Sequence, residues 1–325
     1  MTKIDLKDKK ILYELDLNCR QSNTLIGKKV GLKKDVIAYR IKKMQDEGVI
    51  KNYWTAINTM KLGYNVVRIY INFQDVSPNL KKEIIEHFTK HKNVWAILSV
   101  QGPIDFDVIY WVNDFYEFNQ FWIKTLGVYG KFFSSYTFSL FTHGIACKKS
   151  YLLTNEILET DNKHYIFCSS GPTANIDKTD YQLLNEIVLN ARIPLIDLAQ
   201  KLNCSSQTIN YRIKNLMKTG VIQAFRAGID LSKLGLINCS IDLYLKDHIQ
   251  RNNIIQYLNR RPDIEYILDG VIGWADINIE VMVENIDNLT KLMEELDNKF
   301  PAVIRKHNIW ISKQVHKERW LPELY

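Results

Sequence analysis

Two segments of the chain combine side chains that suit contact with nucleic acid. In the later segment, Gln207 and Asn210 carry amide groups, and such groups can form paired hydrogen bonds with the edge of adenine. In the earlier segment, Lys33, Lys34 and Lys43 supply positive charge for phosphate groups. These residue types predict a nucleic-acid interface. The alternative, an ordinary solvated helix surface, carries equal weight on these residues alone.

Each half of the chain also contains a glycine followed three residues later by an aspartate, in Gly102-x-x-Asp105 and Gly273-x-x-Asp276. Glycine lets a backbone approach a ligand closely, and a carboxylate suits an ammonium group, so the motif predicts a small amino-acid effector near these loops. A tight turn in which glycine supplies the backbone angle and aspartate caps it explains the motif equally well. Because Pro103 and Trp274 differ in bulk, one ligand per chain is expected rather than two.

Motifs for other chemistry are missing from the sequence. It contains no phosphate-binding glycine loop, dinucleotide-binding glycine motif, zinc-protease motif or nucleophile elbow. His87 and His91 have the spacing for a shared metal ion, but no third ligand is identifiable, so no metal, cofactor or catalytic residue is predicted. The 5 cysteines lack paired spacing, and no apolar run reaches the roughly 18 residues that span a bilayer. A cytoplasmic location without membrane contact is therefore expected.

The elements that carry these residues occur twice. Residues 4–50 and 176–222 align without a gap at an offset of 172, and about 17 of the 47 pairs are identical. The longest shared run is Tyr39-Arg40-Ile41-Lys42, which returns as Tyr211-Arg212-Ile213-Lys214. A repeat of this length is a duplicated two-part unit and is too long for a solenoid. The sequence therefore predicts two copies of a dimerising protein in one chain.

The first part of each copy has the pattern of a helix-turn-helix domain. In the first copy, apolar spacing predicts short helices at residues 7–17, 25–30 and 33–47, and the third is basic. Residues 49–57 then have strand character, as a wing would. Steps of 100° place Ile37, Ile41 and Met44 on the buried face of the third helix.

The remaining residues of the third helix in each copy form the predicted DNA-contacting set. In the second copy, Ser205 or Ser206 is expected to cap the helix. The set comprises Lys33, Lys34, Asp35, Ala38, Tyr39, Arg40, Lys42 and Lys43 in the first copy, and Ser205, Ser206, Gln207, Asn210, Tyr211, Arg212 and Lys214 in the second.

The second part of each copy alternates strands and helices in the order βαββαβ, which predicts a ferredoxin-like domain. Its predicted strands include residues 106–112 and 132–141 in the first copy, and residues 237–245, 277–283 and 303–311 in the second. The whole chain is then an α+β protein of two helix-turn-helix and two ferredoxin-like domains. The predicted boundaries are residues 1–61, 62–146, a linker at 147–175, 176–233 and 234–316. Within the linker, residues 151–153 and 165–168 suggest a hairpin.

The positive charge is concentrated in the first copy. The net charge of the chain is +7, and residues 1–150 hold 23 Lys and Arg against 14 Asp and Glu. The remaining residues hold 20 against 22. A basic N-terminal half suggests a polyanionic partner, with a generally solvated surface as the alternative.

Taken together, these motifs resemble the Lrp/AsnC, or feast/famine, family of prokaryotic transcription regulators. The resemblance is carried by Ile4-Asp5, Asn18-x-Arg20, Tyr39 to Lys42, Gly48-Val49-Ile50, Leu62-Gly63 and Gly102-x-x-Asp105, and by their second-copy counterparts. It implies binding of double-stranded DNA, an amino-acid effector pocket near the glycine-aspartate loops, and a covalent pseudo-dimer that forms further homo-oligomers. Lys33-Lys34 stands where the family favours a serine cap.

Two other functions compete with a sequence-specific regulator. Siroheme decarboxylases resemble the same architecture, but their site would want a histidine near the second sheet strand, and residues 95–98 and 266–269 contain none. A metabolite-sensing or assembly module with weak DNA binding would fit the weakly basic second helical module. The regulator without enzymatic activity is the favoured hypothesis. In it, the first module supplies salt-sensitive affinity and the second contacts bases.

Overall fold

The computed structural model describes residues 4–153, 162–169 and 171–323. Within these ranges no helix is long and apolar enough to cross a membrane. Part of the predicted linker, residues 154–161 and 170, lies outside the described residues.

The helices and strands follow the predicted order in both copies. The helices are Leu6–Leu17 (α1), Asn23–Val30 (α2), Lys34–Asp46 (α3), Pro78–Thr89 (α4), Phe115–Tyr129 (α5), Lys178–Ile187 (α6), Leu195–Lys201 (α7), Ser206–Lys218 (α8), Arg251–Leu258 (α9) and Ile286–Lys299 (α10). The strands are Ile50–Ile57 (β1), Asn65–Phe73 (β2), Val94–Gln101 (β3), Phe106–Val112 (β4), Phe133–Cys147 (β5), Lys163–Ser169 (β6), Ile222–Ile229 (β7), Ile237–Leu245 (β8), Ile264–Ile272 (β9), Ile277–Val283 (β10) and Ile304–Glu318 (β11).

The first helix of each copy begins with the same side-chain arrangement. The Asp5 carboxylate accepts a hydrogen bond from the backbone N–H of Asp8, and the Asp8 carboxylate accepts one from the backbone N–H of Asp5. Asp177 and Asp180 repeat this capping box at α6. Both boxes satisfy backbone donors that a helix start otherwise leaves unpaired.

The strand predicted as a wing is formed, and its partner is the equivalent strand of the other copy. β1 and β7 pair antiparallel as a two-stranded ribbon. Trp54 lies opposite Arg226, its own counterpart at the offset of 172, while Tyr53 lies opposite Ala227 and Thr55 opposite Phe225. Exchanging the two copies therefore leaves this register unchanged, as a two-fold interface requires.

The remaining strands form one sheet in the order β2-β4-β3-β11-β8-β10-β9-β5-β6, and β2 also pairs with β5. Eight strands thus close into a ring, with β6 added at β5. The two joints between the copies have matching registers: Gln101 pairs with Ile311, and Leu140 pairs with Ile272. Closure removes the free edges that a four-stranded ferredoxin-like sheet would expose.

Apolar side chains fill three main layers. Ile84, Phe88 and Trp122 pack with the first ferredoxin-like sheet, and Leu289 and Leu296 belong to the corresponding core of the second. The largest cluster joins the helical modules, the ribbon and part of the strand ring. The helical modules are therefore packed onto the ring through the ribbon.

The hairpin predicted within the linker is wrong. Residues Ser150–Leu152 form a short 3-10 turn, and β6 pairs antiparallel with the end of β5. β5 continues past the predicted strand end because β9 and β6 supply backbone partners there.

Candidate nucleic-acid interface and adjoining cavity

The outward face of α3 has the predicted composition. Ile37, Ile41 and Met44 are buried, as the helical period requires. The residues on the opposite side are exposed: Lys33, Lys34, Asp35, Ala38, Tyr39, Lys42 and Lys43. The Lys42 ammonium lies 2.6 Å from Asp46, so part of its charge is compensated within the helix.

The corresponding face of α8 is uncharged at its start. Ser205 is the N-cap, and its hydroxyl accepts a hydrogen bond of 3.1 Å from the backbone N–H of Thr208. Gln207, Tyr211 and Lys214 are exposed, whereas Ser206 and Asn210 are half-buried. The amide and phenol groups of this helix can thus reach a partner surface, as base contact requires.

Two arginines of the predicted DNA-contacting set point toward a neighbouring helix. Arg40 Nη1 donates to Asp5 at 2.8 Å and to Asp8 at 2.7 Å. The hydrogen bond from Arg40 is the largest influence that lowers the pKa of Asp5. Arg212 makes the same pair of contacts with Asp177 and Asp180, each at 2.8 Å. The sequence signal for these hydrogen bonds was the repeated Asp-x-x-Asp motif. The bonds hold the third helix of each module against the first.

The two helical modules are joined by reciprocal contacts. Arg20 Nη1 donates to the Ala191 carbonyl at 2.7 Å, and Arg192 Nη2 lies 3.4 Å from the Asn23 side-chain oxygen. The backbone N–H of Cys19 donates to the Phe225 carbonyl at 2.8 Å, and Ala191 repeats this contact with Tyr53 at 2.9 Å. These contacts hold α3 and α8 in a defined relative placement.

The middle of β7 carries one partner of an ion pair that sequence reasoning missed. Arg226 donates to both carboxylate oxygens of Asp16, at 2.8 and 2.6 Å, and both side chains are fully buried. A third nitrogen, Arg226 Nη1, donates to the hydroxyls of Tyr165 and Tyr266. Arg226 and Asp16 lie 210 residues apart in sequence, so no local pattern predicts that they pair.

The aspartates of the glycine-aspartate loops bond to their own sheets. Asp105 accepts a hydrogen bond of 2.9 Å from the Phe73 backbone N–H, and Asp276 accepts one of 2.7 Å from that of Leu245. A Cβ atom at Gly102 would lie 2.7 Å from the Trp310 side chain, and one at Gly273 would lie 2.7 Å from the Phe138 carbonyl. The loops therefore have a structural role where the two copies meet. Effector binding at them stays a prediction.

A cavity of about 850 Å³ lies between the ribbon and the inner face of the strand ring. The ribbon contributes Trp54 and Gly228, and the ring contributes Arg68, Leu268 and Glu280. Burial raises the pKa of Glu280 to about 7, although Arg68 and a hydrogen bond from Asn238 oppose the shift. The sequence signal for this site was a glutamate within each of two mostly apolar strands, Glu265 in β9 and Glu280 in β10.

His87 on α4 and His91 just after it lie among aromatic side chains. His87 Nε2 is 2.9 Å from the Thr125 hydroxyl, and the His91 ring packs on Phe121. Burial lowers the pKa of His91 to about 4. Among the described residues, no three histidine, cysteine, aspartate or glutamate side chains are grouped to hold a metal ion.

Comparison with known proteins places the helical modules in a defined class. A sequence profile of winged helix-turn-helix DNA-binding domains matches residues 4–51 and again residues 176–223. The transcriptional regulator LrpA of Pyrococcus horikoshii is 31% identical over 111 residues, which cover 34% of this chain and 77% of LrpA. The chain belongs to the Lrp/AsnC family of transcriptional regulators.

Other transcriptional regulators show similar agreement. The proline dehydrogenase transcriptional activator of Rhodobacter capsulatus is 30% identical over 133 residues, or 39% of this chain and 84% of the activator. An HTH-type transcriptional regulator of Pyrococcus furiosus is 30% identical over 124 residues, or 38% of this chain and 82% of that protein. Each of these matches thus spans little more than a third of this chain.

A solved structure shares the fold over nearly the full length of this Lrp/AsnC-family chain. The siroheme decarboxylase NirDL matches with a TM-score of 0.60 and 11% identity, covering 97% of this chain and 93% of NirDL. At this identity the similarity shows the arrangement of the two copies and carries no information on chemistry.

Proposed function

We propose that one chain acts as a covalent pseudo-dimer whose two helix-turn-helix modules bind the two half-sites of one double-stranded DNA operator. The observation that carries this proposal is the ribbon register, in which each β1 residue faces a β7 residue under a two-fold exchange. Helix-turn-helix dimers read paired half-sites for the same geometric reason. The equivalent backbone contacts of Cys19 with Phe225 and of Ala191 with Tyr53 give further support.

In this proposal the two modules contribute different kinds of contact. Lys33, Lys34 and Lys43 give the α3 surface positive charge for phosphates, which bind without regard to sequence. Gln207 and Asn210 on α8 have the donor and acceptor pairs that distinguish adenine. The first module then supplies salt-sensitive affinity, and the second supplies base discrimination.

Footprinting on the upstream DNA of the gene tests the pseudo-dimer. One chain should protect two half-sites separated by about 34 Å or a multiple of it, centre to centre. Tyr39→Ala and Tyr211→Ala form a matched pair, because both tyrosines are equivalent in the repeat and about 70% exposed. Each substitution should weaken protection at a different half-site. Protection of a single half-site per chain would contradict the proposal.

The favoured hypothesis assigns no enzymatic activity. The fold shared with NirDL makes a tetrapyrrole the alternative ligand, but the described residues that line the cavity include no histidine. They also bring three glutamates together, which disfavours a ligand rich in carboxylates. An absorbance scan of the purified protein for bound pigment separates the enzyme from the regulator. A gel shift separates the regulator from an assembly module with weak DNA binding.

An amino-acid effector remains part of the proposal, near Gly102-x-x-Asp105 and Gly273-x-x-Asp276. Calorimetry against the twenty amino acids tests it on the wild type and on Asp105→Ala and Asp276→Ala. Thermal unfolding of each variant is needed in parallel, since both aspartates also bond to backbone N–H groups. Binding that survives both substitutions in folded protein would leave these loops with a structural role only.

A further inference from the structure

The cations around the cavity between ribbon and ring already have protein partners. Arg68 forms a buried double hydrogen bond with Asp107, with Nε at 2.8 Å and Nη2 at 2.5 Å from the carboxylate oxygens. Lys149 donates to Glu265. Two further cations are likewise engaged, Arg319 with Asn185 and Lys51 with Asp230. Lys313 also contributes to the lining, with an exposed side chain that forms no ion pair among the described residues.

Two carboxylates in the same lining lack such compensation. Glu280 is hydrogen-bonded by Asn238, and Glu318 accepts a hydrogen bond of 3.1 Å from Trp320 Nε1. Across the described part of the chain, no lysine or arginine forms a salt bridge with either of them, whereas Glu265 has Lys149. Burial raises the pKa of both groups, and Glu265 adds to the repulsion at each, while Arg68 at Glu280 and Lys149 and Arg226 at Glu318 oppose the shift without reversing it. A positively charged group in the cavity would stabilise their ionised forms.

Aromatic rings form another part of the lining. Trp54 stacks on Trp320 with ring centroids 4.6 Å apart, and Trp95 meets Trp320 edge-on at 4.7 Å. Phe167 and Tyr266 extend this surface. Indole faces attract flat rings and cations, and a volume of about 850 Å³ lies within the usual range of roughly 300–1,000 Å³ for small-molecule sites.

We infer that this cavity binds a small molecule carrying an aromatic ring and a protonated amine, with the amine at Glu280 and Glu318 and the ring on the tryptophan cluster. This site is separate from the glycine-aspartate loops, because those loops contribute none of its described lining.

The position of the site gives it a route to regulation, a step that rests on the proposed DNA-binding function. α3 ends at Asp46 and β1 begins at Ile50, while α8 ends at Lys218 and β7 begins at Ile222. The proposed recognition helices, α3 and α8, are therefore each joined to the ribbon by three residues. A ligand bound against Trp54 and Gly228 contacts the ribbon, which sets the separation of α3 and α8. Binding of the ligand therefore changes the affinity for paired half-sites.

Calorimetry with three related probes tests the site without DNA. Tryptamine offers an indole ring and an ammonium group, indole-3-propionate offers the same ring with a carboxylate, and indole offers the ring alone. The full-length protein should bind one tryptamine per chain, at least tenfold more tightly than indole-3-propionate. Glu280→Gln and Glu318→Gln should each weaken tryptamine at least tenfold and leave indole unchanged. Glu294→Gln, on the exposed side of α10, is the matched control and should have no effect.

Three results would overturn the site. They are no heat with tryptamine, equal affinity in both cavity variants, or tighter binding of indole-3-propionate. Thermal unfolding establishes that each variant is folded. Because the two substitutions are independent, a variant that fails to fold leaves the other one to test the site. Tryptamine affinity that rises between pH 6 and pH 8 in wild type, and stays flat in Glu280→Gln, supports the assigned contact.

Fluorescence anisotropy with an operator duplex tests the regulatory step. Saturating tryptamine should change DNA affinity at least fivefold in wild type and less than twofold in Glu280→Gln. Tryptamine binding without any change in DNA affinity would overturn the regulation and support the site. Absence of DNA binding with and without tryptamine would instead contradict the proposed function, and the calorimetric result would stand.

Discussion

The two strands of the β1–β7 ribbon have equivalent backbones and different chemistry at its centre, where Trp54 lies opposite Arg226. On β7, Arg226 forms a fully buried ion pair with Asp16. Their counterparts at the offset of 172 are Trp54 on β1 and Val188, and Trp54 stacks on Trp320. A homodimer must place the same residue at both positions. The two copies in this chain are free of that constraint, so one position is ionic while the other forms part of a cavity wall.

The recognition helices differ in the same way. α3 starts at Lys33 without a side-chain cap, whereas α8 starts at Ser205, whose hydroxyl caps it. α3, which lacks a side-chain cap, carries the lysines, and α8, which has one, carries the amide side chains. The difference indicates that the positive charge lies on one helix and the side-chain cap on the other, although the two copies share the same backbone arrangement.

The largest effect is expected from removing one partner of the buried ion pair. Asp16→Ala should lower the free energy of unfolding by roughly 3–5 kcal/mol, because it leaves the Arg226 charge buried without a counterion. Urea unfolding followed by tryptophan fluorescence measures this loss. Val188→Ala, at the position equivalent to Asp16 in the other copy, removes only apolar contacts and should cost roughly 1–2 kcal/mol.

A double substitution sharpens the same comparison. Asp16→Val with Arg226→Trp installs the side chains of the equivalent positions in the other copy and should recover most of the stability, since apolar replacements of buried ion pairs are often neutral. If the double variant is as unstable as Asp16→Ala, the two sets of positions are not interchangeable, and the tyrosine hydroxyls around Arg226 set the difference.

The second prediction compares the two recognition helices on DNA. Replacing Lys33, Lys34 and Lys43 with Ala should weaken binding to all sequences, and each lost phosphate contact should flatten the log–log salt dependence by roughly one unit. Gln207→Ala or Asn210→Ala should cost roughly 1–3 kcal/mol on the preferred site alone. Salt titrations on specific and random duplexes measure both. Altered sequence preference in the lysine variant with an unchanged salt slope would reverse the assignment.

The third prediction concerns the cavity wall. Because the pKa of Glu280 in the folded protein is about 7, above its ordinary value of 4.5, protonation favours folding. The destabilisation is absent below pH 4.5, grows as pH rises toward 7 and is complete above it. Glu280→Gln should therefore stabilise the protein by roughly 2 kcal/mol at pH 8 and have almost no effect at pH 4.

Unfolding curves at the two pH values check the prediction on Glu280. Arg68, Glu265 and Glu318 are the charged groups that influence this carboxyl. Glu294→Gln serves as the control at both pH values, since its side chain is exposed. A stabilisation that is equal at pH 4 and pH 8 would mean that the ionisation of Glu280 is not its cause.

Much of this fold follows from local patterns in the sequence. The strands predicted at residues 106–112, 237–245 and 277–283 coincide with β4, β8 and β10, because runs of buried apolar residues end there at turn residues. β5 and β11 instead extend to Cys147 and Glu318, beyond the predicted 141 and 311. Their extra residues pair with strands of the other copy, and such pairing leaves no signature in the local sequence.

The candidate site likewise has features that local sequence patterns predict and features that they do not. The exposed residues of α3 and α8 follow from the helical period alone. The turn of Arg40 toward Asp8 depends on a contact 32 residues away in sequence, and the cavity depends on the ribbon crossing the strand ring. Both are products of tertiary packing, which a periodicity argument does not contain.

The smallest expected effect concerns the helix caps. Ser205→Ala should lower the free energy of unfolding by about 1 kcal/mol, because the Thr208 N–H loses its side-chain acceptor. Lys33→Ser places the same cap on α3 and should stabilise the protein by roughly 0.5–1 kcal/mol.

The two cap variants separate stability from DNA affinity. Lys33→Ser also removes a charge, so it should stabilise the protein while weakening its DNA binding at low salt. Ser205→Ala should reduce stability and leave the salt dependence unchanged. Thermal unfolding and salt titrations on the same preparations measure both quantities. If Lys33→Ser stabilises the fold and leaves salt-dependent affinity intact, the α3 start lies away from the phosphates, and the proposed division of contacts fails at that residue.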